Sequence, residues 1–383
     1  MQPGTVGTAT SRILVLLSQV FVDGGIQRFN RTFLSACDGL GATCDVLSLN
    51  DGEDSRNRWQ APASATIRLF NRNKSQFALA TCAAVLRGEY DFIVIGHINL
   101  LPLVSSCASL RKPRGTRLLL IAHGIEVWTG LDKWRLRLAA TRLDLILCVS
   151  RYTRDRIQEQ WPRLPEQRYT IFPNALSETW VQRFAQSDPV QTLAGLPRRF
   201  LLSVTRLDRG DRYKGITTVI ETLAALEDRS VHYVIAGQGD DRVFLERMAE
   251  RFQVSGRVHF VGSVSDAELA NLYAQCAAFI LPSGKEGFGI VFLEAMYFGA
   301  PVIAAREKGA IDVVRDEETG LLVPYGDTAA LAGVIMRILQ DGALRTRLRM
   351  NGRQSVSVEG PFSFRSYMTR LATIFQVELP VTQ

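Results

Sequence analysis

The 383-residue sequence predicts an α/β protein made of two doubly wound, Rossmann-like domains facing across a cleft. Three observations predict it. Short β-type runs alternate with longer amphipathic runs from end to end, the pattern of parallel sheets crossed over by helices. That alternation breaks once, between Pro173 and Arg199, where Pro173, Pro189 and Pro197 fall without a strand signal. The length is also more than one ordinary core needs and suits two domains of average size.

In the first half, strands are expected at Arg12–Ser18, Cys44–Leu49, Thr66–Phe70, Asp91–Ile95, Arg117–Ala122, Leu145–Val149 and Tyr169–Phe172. Gly25–Leu40, Gln76–Arg87, Leu101–Leu110, Lys133–Arg142 and Thr153–Trp161 read as the intervening helices. After the break, strands are expected at Phe200–Val204, His232–Ala236, Val258–Val261, Ala278–Leu281, Val302–Ala304 and Leu321–Val323. The last run, Ser363–Val377, has helical spacing, follows Gly360-Pro361 and is expected to pack back on the first domain. The expected division is therefore 1–175 for an N-terminal domain, 176–198 for a linker, 199–360 for a C-terminal domain and 361–383 for the returning helix.

Composition narrows the functional classes. Hydrophobic residues at 46% and charged residues at 22%, with no low-complexity tract, indicate a chain folded throughout. The first apolar stretch, Ile13 to Leu17, is too short for a signal peptide and reads as a strand, and no run is long enough to cross a membrane. The six cysteines include no C-x-x-C pair and mostly lie in apolar runs, so they read as buried, unpaired core residues of a reducing compartment. The net charge of +7 is uneven: residues 1–175 carry 22 Lys and Arg against 14 Asp and Glu, and residues 176–383 carry 23 against 24. A basic first half attracts anionic partners such as nucleic acid, phosphorylated lipid or an acidic membrane face. Arg111-Lys112-Pro113-Arg114 and Lys133-Trp134-Arg135-Leu136-Arg137 mix cations with apolar groups as interfacial segments do, and as ordinary solvated helix faces also do.

The densest chemical signal runs from Pro282 through Glu286, Gly287, Phe288, Gly289 and Ile290 to Glu294, between a strand and a helix expected from about Phe288. A strand-end loop opening into a helix offers free N–H groups and a positive dipole end to a phosphate, and Gly287 and Gly289 let backbone approach a ligand closely. If the segment is largely helical, the two carboxylates stand roughly 12 Å apart, about the span from a transferred sugar to the ribose of its nucleotide. Glu294 lies among Val291, Phe292, Leu293, Ala295 and Met296, and a carboxylate so placed needs a hydroxyl or cation partner.

A second signal follows the first strand of the second half, where a loop supplies Arg206 and Lys214 in place of a glycine cradle. Doubly wound folds hold phosphates at that position, and two cations there suit a diphosphate; Arg209 and Arg212 leave a plain solvated basic loop as the other reading. A third is Asp23-Gly24-Gly25-Ile26, a strand-to-helix turn that either admits a ligand close to the backbone or is simply tight. The fourth is His123, after Arg117–Ala122, with His97 in a similar place after Ile95; His232 and His259 fall inside strands and read as structural. Gly237-Gln238-Gly239 lacks the third glycine of a dinucleotide fingerprint, and no P-loop, nucleophile elbow or zinc-protease motif occurs. No metal-ligand spacing is found, and Arg206 and Lys214 could neutralise the charge a divalent ion otherwise would.

On these residues the chain resembles the family-4 retaining glycosyltransferases of the GT-B fold. The resemblance rests on the E-x7-E spacing of Glu286 and Glu294 within E-G-F-G-I-V-F-L-E-A-M, on S-V-T-R-L at Ser203–Leu207 with Y-K-G at Tyr213–Gly215, and on the G-G-I turn. It covers nearly the whole second half and scattered turns of the first. It implies a hexosyltransferase that moves a hexose from GDP-mannose or a UDP-hexose to a glycan or lipid-linked acceptor in cell-surface polysaccharide biosynthesis. It further implies that Arg206 and Lys214 contact the donor diphosphate, Glu294 the ribose, Glu286 the C3 and C4 hydroxyls of the sugar, and that His123 lies beside the sugar and Gly25 near the phosphate. No cofactor or metal is expected. The expected location is cytoplasmic, with peripheral contact at the anionic inner face of the membrane through a diphosphate-lipid acceptor, and no nucleic acid as partner. Two other readings stand beside it: a nucleotide-sugar 2-epimerase of the same fold, and a non-catalytic sugar-nucleotide- or nucleic-acid-binding protein.

Overall fold

Buried β-branched and leucine-rich runs and amphipathic runs sort into sheets and covering helices as their periods dictate. The computed structural model describes residues 11–379 apart from 23, 111–114 and 186–194. Asp23, the run Arg111 to Arg114 and Pro189 lie outside the described residues.

The chain divides into two units, 1–175 with 364–383, and 176–363. In the first, seven strands form one parallel sheet: β1 (Arg12–Leu17), β2 (Thr43–Ser48), β3 (Ala65–Leu69), β4 (Phe92–Ile95), β5 (Arg117–Ala122), β6 (Leu145–Cys148) and β7 (Tyr169–Ile171), in the order 3-2-1-4-5-6-7. The helices are α1 (Gly25–Gly39), α2 (Lys74–Arg87), α3 (Leu101–Leu110), α4 (Trp134–Ala140), α5 (Arg151–Gln160) and, from the end of the chain, the helix Phe364–Phe375. That last helix packs on α1 through Tyr367, fully buried against Phe29 and Phe172, and through Phe375 against Phe33 and Phe92.

The second unit opens with α6 (Glu178–Ala185) and holds a six-stranded parallel sheet of β8 (Phe200–Val204), β9 (His232–Ala236), β10 (Val258–Gly262), β11 (Ala278–Leu281), β12 (Val302–Ala305) and β13 (Leu321–Val323), ordered 10-9-8-11-12-13. Its remaining helices are α7 (Ile216–Ala225), α8 (Arg242–Arg251), α9 (Asp266–Gln275), α10 (Ile290–Tyr297), α11 (Thr328–Gln340) and α12 (Gly342–Val356), which makes the returning helix α13.

In both parallel sheets the strand order reverses at one point, between β1 and β4 and between β8 and β11. Loops leaving the carboxyl ends of the strands that flank such a switch point diverge and leave a crevice, and that is where doubly wound sheets bind ligands.

Three expectations need correction. The proline-marked break contains a helix, α6, because Trp180 and Phe184 stand four residues apart and give it one aromatic face, which packs on Tyr297 and Phe298. Arg183 on that helix forms an ion pair with Asp266 at the start of α9. The helix after Glu286 begins at Ile290 rather than Phe288, since Gly289 takes a left-handed φ of 88° at its N-cap. Finally, Cys82 on α2 and Cys107 on α3 are joined as a disulfide with their Cα atoms 5.4 Å apart, because the two helices pack side by side; Cys37, Cys44, Cys148 and Cys276 are free and buried. Thiol counting in denaturant without reductant is expected to find four thiols per chain, and reduction to lower stability by about 3 kcal/mol for a loop of this length. Six thiols in the unreduced protein would refute the pairing.

Candidate functional site

The switch point of the second unit gathers the two densest sequence signals. The loop after β8 carries Arg206 and Lys214, and the loop after β11 carries Glu286. Lys214 Nζ donates to Glu286 Oε2 at 2.7 Å, with side-chain exposures of 17% and 12%, so groups 72 residues apart form a largely sheltered ion pair. The chain turns into α7 at Gly215, whose φ is 78° and whose absent Cβ would lie 2.4 Å from the carbonyl oxygen of Pro282; glycine is what lets the two loops touch there. Gly284 N–H donates to the Tyr213 carbonyl at 2.8 Å, a second stitch between them.

Arg206 is 70% exposed at its side chain and pairs with Asp211 at 3.0 Å, and Asp211 also accepts the Tyr213 hydroxyl at 2.8 Å. Burial, then the bond to Asp211, pushes the Tyr213 phenol up, so it stays a neutral donor at ordinary pH. The solvated-loop reading holds for Arg209 but not for Arg212, which forms a two-pronged pair with the buried Asp241 at 2.7 and 2.6 Å and lies 3.8 Å over the ring of Phe244. Arg212 is thereby committed to structure, while Arg206 faces solvent beside a hollow lined by Leu207, Asp208, Asp211 and Thr217. Gly237 and Gly239 acquire a role the fingerprint test did not find: a Cβ on either would lie about 2 Å from the backbone of Thr205 or Leu207, so the β9 loop is pressed against the Arg206 loop.

Gly287, Phe288, Gly289 and Ile290 carry the chain from Glu286 into α10. A Cβ on Gly289 would meet the Phe292 ring at 2.4 Å and Glu286 Cγ at 3.2 Å, so this glycine is required both by its φ and by the space. Glu294 is fully buried in α10, and Tyr273 Oη donates to its Oε2 at 3.0 Å. Its hydroxyl partner is thus a side chain of α9, invisible in the sequence because nothing local links residues 21 apart.

In the first unit the switch point lies between β1 and β4. Gly24 is extended, with φ 164°, and no turn geometry demands glycine at Gly24 or Gly25. No described atom lies within 4 Å of where a Gly25 Cβ would stand, whereas a Gly24 Cβ would meet Gln27 Oε1 at 2.3 Å, so the head of α1 is open at Gly25 and close at Gly24. The loop is held from behind by the buried Arg31, which donates to the carbonyls of Val20, Phe21 and Val22 at 2.7 to 2.9 Å, and by Asp51, which accepts from Val20 N–H at 2.7 Å.

His123 Nε2 lies 3.0 Å from the Gly96 carbonyl, which can only accept, so Nε2 carries the proton and Nδ1 is the ring's acceptor. Burial lowers His123 to about 4, the Gly96 bond working weakly against it, and the ring is neutral at ordinary pH. His97 Nδ1 accepts from Asn99 N–H, and burial lowers it too. Glu126 caps the same turn, accepting the N–H groups of His123 at 2.6 Å and Gly124 at 3.2 Å, and burial raises its carboxyl. His232 and His259 share a contact of 2.9 Å between Nδ1 and Nε2, distant in sequence from these loops, and both are lowered by burial. Among the described residues no cluster of three or more His, Cys, Asp or Glu could hold a metal ion.

These histidines make stability depend on pH in a definite sense. The unfolded chain takes up imidazole protons near pH 6.5, whereas folded His123 resists to about 4. Stability is expected to be full above pH 6.5 and to fall as pH drops toward 4, by on the order of 2 to 3 kcal/mol from His123 alone. The raised Glu126 carboxyl acts in the opposite direction through the carboxylate range, since the folded state holds that proton more tightly. Urea midpoints at pH 7.5 and 5.0 test this, and an unchanged pH slope in His123→Asn would exclude His123 as its source.

The family model described as "Glycosyl transferases group 1" matches residues 186–355, and the one described as "Glycosyltransferase Family 4" matches residues 23–179. A GDP-mannose-dependent alpha-(1-6)-phosphatidylinositol monomannoside mannosyltransferase of Mycolicibacterium smegmatis is 30% identical over 284 residues, 70% of this chain and 72% of that protein. The chain belongs to the family-4 glycosyltransferases. Within the family it is also similar to the lipopolysaccharide core biosynthesis glycosyltransferase LpsE of Rhizobium meliloti, 36% identical over 143 residues; the match spans 37% of this chain and only 41% of LpsE. Among solved structures, a sucrose-phosphate synthase from Thermosynechococcus elongatus superimposes with a TM-score of 0.75 at 22% identity over 95% of this chain and 98% of that one. HepE of Anabaena, solved with UDP and glucose, gives 0.74 at 19% over 96% and 99%. At those identities the likeness shows that this family-4 chain has the GT-B fold.

Proposed function

We propose that this family-4 glycosyltransferase moves a hexose, with retention, from a nucleotide-diphosphate sugar to a lipid-linked or polysaccharide acceptor, with GDP-mannose the first donor to test. The observation that carries the reading is the contact of Lys214 with Glu286 at the switch point of the second sheet, where a cation for a diphosphate and a carboxylate for sugar hydroxyls stand together. Several relatives support the donor and the acceptor class: the mannosyltransferases of Mycolicibacterium smegmatis and Corynebacterium glutamicum are named as GDP-mannose-dependent enzymes acting on phosphatidylinositol mannosides.

In this reading Arg206 and Lys214 meet the diphosphate, assisted by the N–H groups of Gly287 to Ile290; Glu286 grips the hexose and Glu294, steadied by Tyr273, the ribose. The bond from the anomeric carbon to the diphosphate oxygen breaks while the acceptor oxygen attacks from the same face. The acceptor's proton passes to the departing diphosphate, whose negative charge the two cations stabilise most as it develops. His123, neutral and presenting Nδ1, accepts a hydrogen bond from a sugar hydroxyl and is not a proton donor at neutral pH. The charge neutralisation lies with Arg206 and Lys214, so turnover is expected to survive excess EDTA. Incubation with GDP-mannose or UDP-glucose and a phosphatidylinositol acceptor should release the nucleoside diphosphate and yield a glycosylated lipid of unchanged anomeric configuration. An isomerised donor with no glycosylated product would point to the epimerase reading, and an inverted product would remove the same-face mechanism.

An anionic membrane is proposed to meet α4 and its N-cap, where Trp134 and Leu138 are 69% and 61% exposed among Lys133, Arg135 and Arg137. Among the described residues no helix is long and apolar enough to cross a membrane. Flotation with vesicles of anionic lipid should recover the protein, and Trp134→Ala/Arg135→Ala should weaken it; recovery indifferent to lipid charge would remove this surface from the reading.

A further inference from the structure

The loop that leaves β12 reaches back over the Glu286 loop, and nothing in the sequence motifs points to it. Lys308 opens it with a left-handed φ of 57°, a conformation a lysine adopts only when its surroundings hold it there. Its Nζ donates to the Gly284 carbonyl, two residues before Glu286, and the next residue, Gly309, donates its N–H to the Glu286 carbonyl at 2.9 Å. Between them these two bonds hold the backbone carbonyls of residues 284 and 286, whereas Lys214 holds the Glu286 side chain. Gly284 is also packed by Tyr325, whose ring would lie 2.9 Å from a Cβ there. The segment bearing Glu286 is therefore located by three elements, the loops after β8, β12 and β13, and Lys308 is the only side chain among these contacts that reaches it with a charge other than Lys214.

We propose that Lys308 is a positioning residue for hexose recognition: it fixes the backbone that sets the reach of Glu286 and does not itself touch the donor. The inference rests on the reading of Glu286 as the hexose grip. A group acting through Glu286 affects the sugar half of the donor more than the diphosphate half, whose two cations, Arg206 and Lys214, stand on the separate loop after β8. Misplacing a positioned group by about an ångström costs on the order of ten- to a hundredfold.

The test measures dissociation constants by calorimetry for GDP, UDP, GDP-mannose and UDP-glucose with the full chain and with Lys308→Ala, Lys308→Gly and Lys308→Arg. Glycine accepts the left-handed backbone, so Lys308→Gly removes the side-chain bond without the strain and keeps the test clear of a folding defect. The expected result is that Lys308→Ala and Lys308→Gly bind the nucleotide sugar that the wild type prefers about tenfold or more less tightly, lose much less affinity for its nucleoside diphosphate, and that Lys308→Arg restores the sugar-dependent part. Equal loss for the nucleotide sugar and the free diphosphate would overturn the proposal, and so would no loss at all in Lys308→Gly. Failure of the wild type to bind any nucleotide or nucleotide sugar would instead overturn the donor reading of the site.

Discussion

Lys214→Ala is expected to lower kcat/KM for the preferred nucleotide sugar by about a hundredfold or more, with most of the loss in kcat. The lysine's Nζ stands 2.7 Å from Glu286 in a place where both side chains keep less than a fifth of their exposure. Charge that develops on a departing diphosphate in such a sheltered site is screened weakly, and a preorganised cation there costs no reorganisation when the bond breaks. The substitution also leaves the Glu286 carboxylate without its cation, so part of the loss would be repulsion between that carboxylate and the donor. Lys214→Ala/Glu286→Gln separates the two contributions, since it removes the carboxylate's charge along with the lysine. If leaving-group stabilisation dominates, the double variant stays nearly as slow as Lys214→Ala; recovery to within a few fold of Glu286→Gln would reassign the lysine to neutralising Glu286. Near-normal turnover of Lys214→Ala itself would remove Lys214 from the mechanism.

Gly309→Ala should have the largest effect on the fold of the site. A Cβ at that position would stand 2.0 Å from the Gly287 carbonyl oxygen, 2.4 Å from its carbon and 2.7 Å from the Glu286 oxygen, all backbone atoms that no rotamer change can move aside. Accommodating the methyl group means separating the β12 loop from the Glu286 loop and breaking the 2.9 Å bond from Gly309 N–H to Glu286. Overpacking of this kind costs about 1 to 3 kcal/mol, and the lost bond adds about 1 kcal/mol more. For a unit of this size that corresponds to a fall in Tm of roughly 5 to 15 °C. Donor binding is expected to weaken along with it, because Glu286 moves with its backbone. Gly25→Ala supplies the contrast: no described atom would meet its Cβ, so its Tm should be unchanged and any deficit it shows belongs to ligand approach. A Gly309→Ala protein with wild-type Tm and wild-type affinity would contradict the packing described for these loops.

Much of this molecule was legible in one dimension. The strands that fall most plainly where short apolar runs bounded by turns place them are β1, β4, β6 and β11, because a parallel strand covered on both faces leaves a local run of four or five apolar residues. The Arg206 and Lys214 loop and the Glu286 and Glu294 spacing could be picked out as candidates because strand-end loops are local, and the proposed chemistry rests on their residue types. The missed helix α6 shows the limit of that approach, since its single aromatic pair has meaning only against Tyr297 and Phe298, more than a hundred residues away.

By itself the sequence determined the two-sheet architecture and its family and supplied the side chains proposed to hold a donor, since all of these rest on periodicity and on short motifs that fold locally. Only the tertiary structure decided which of those side chains are available and how they are paired. It withdrew Arg212 into a bond with Asp241, set Lys214 on Glu286, buried Glu294 against Tyr273, fixed the proton of His123 on Nε2 through the Gly96 carbonyl, and brought Lys308 over the Glu286 loop. Each of those facts joins residues that are remote along the chain and meet because parallel strands deliver their loops to one end of a sheet, where charge and hydrogen bonding act over a few ångströms and sequence distance has no bearing.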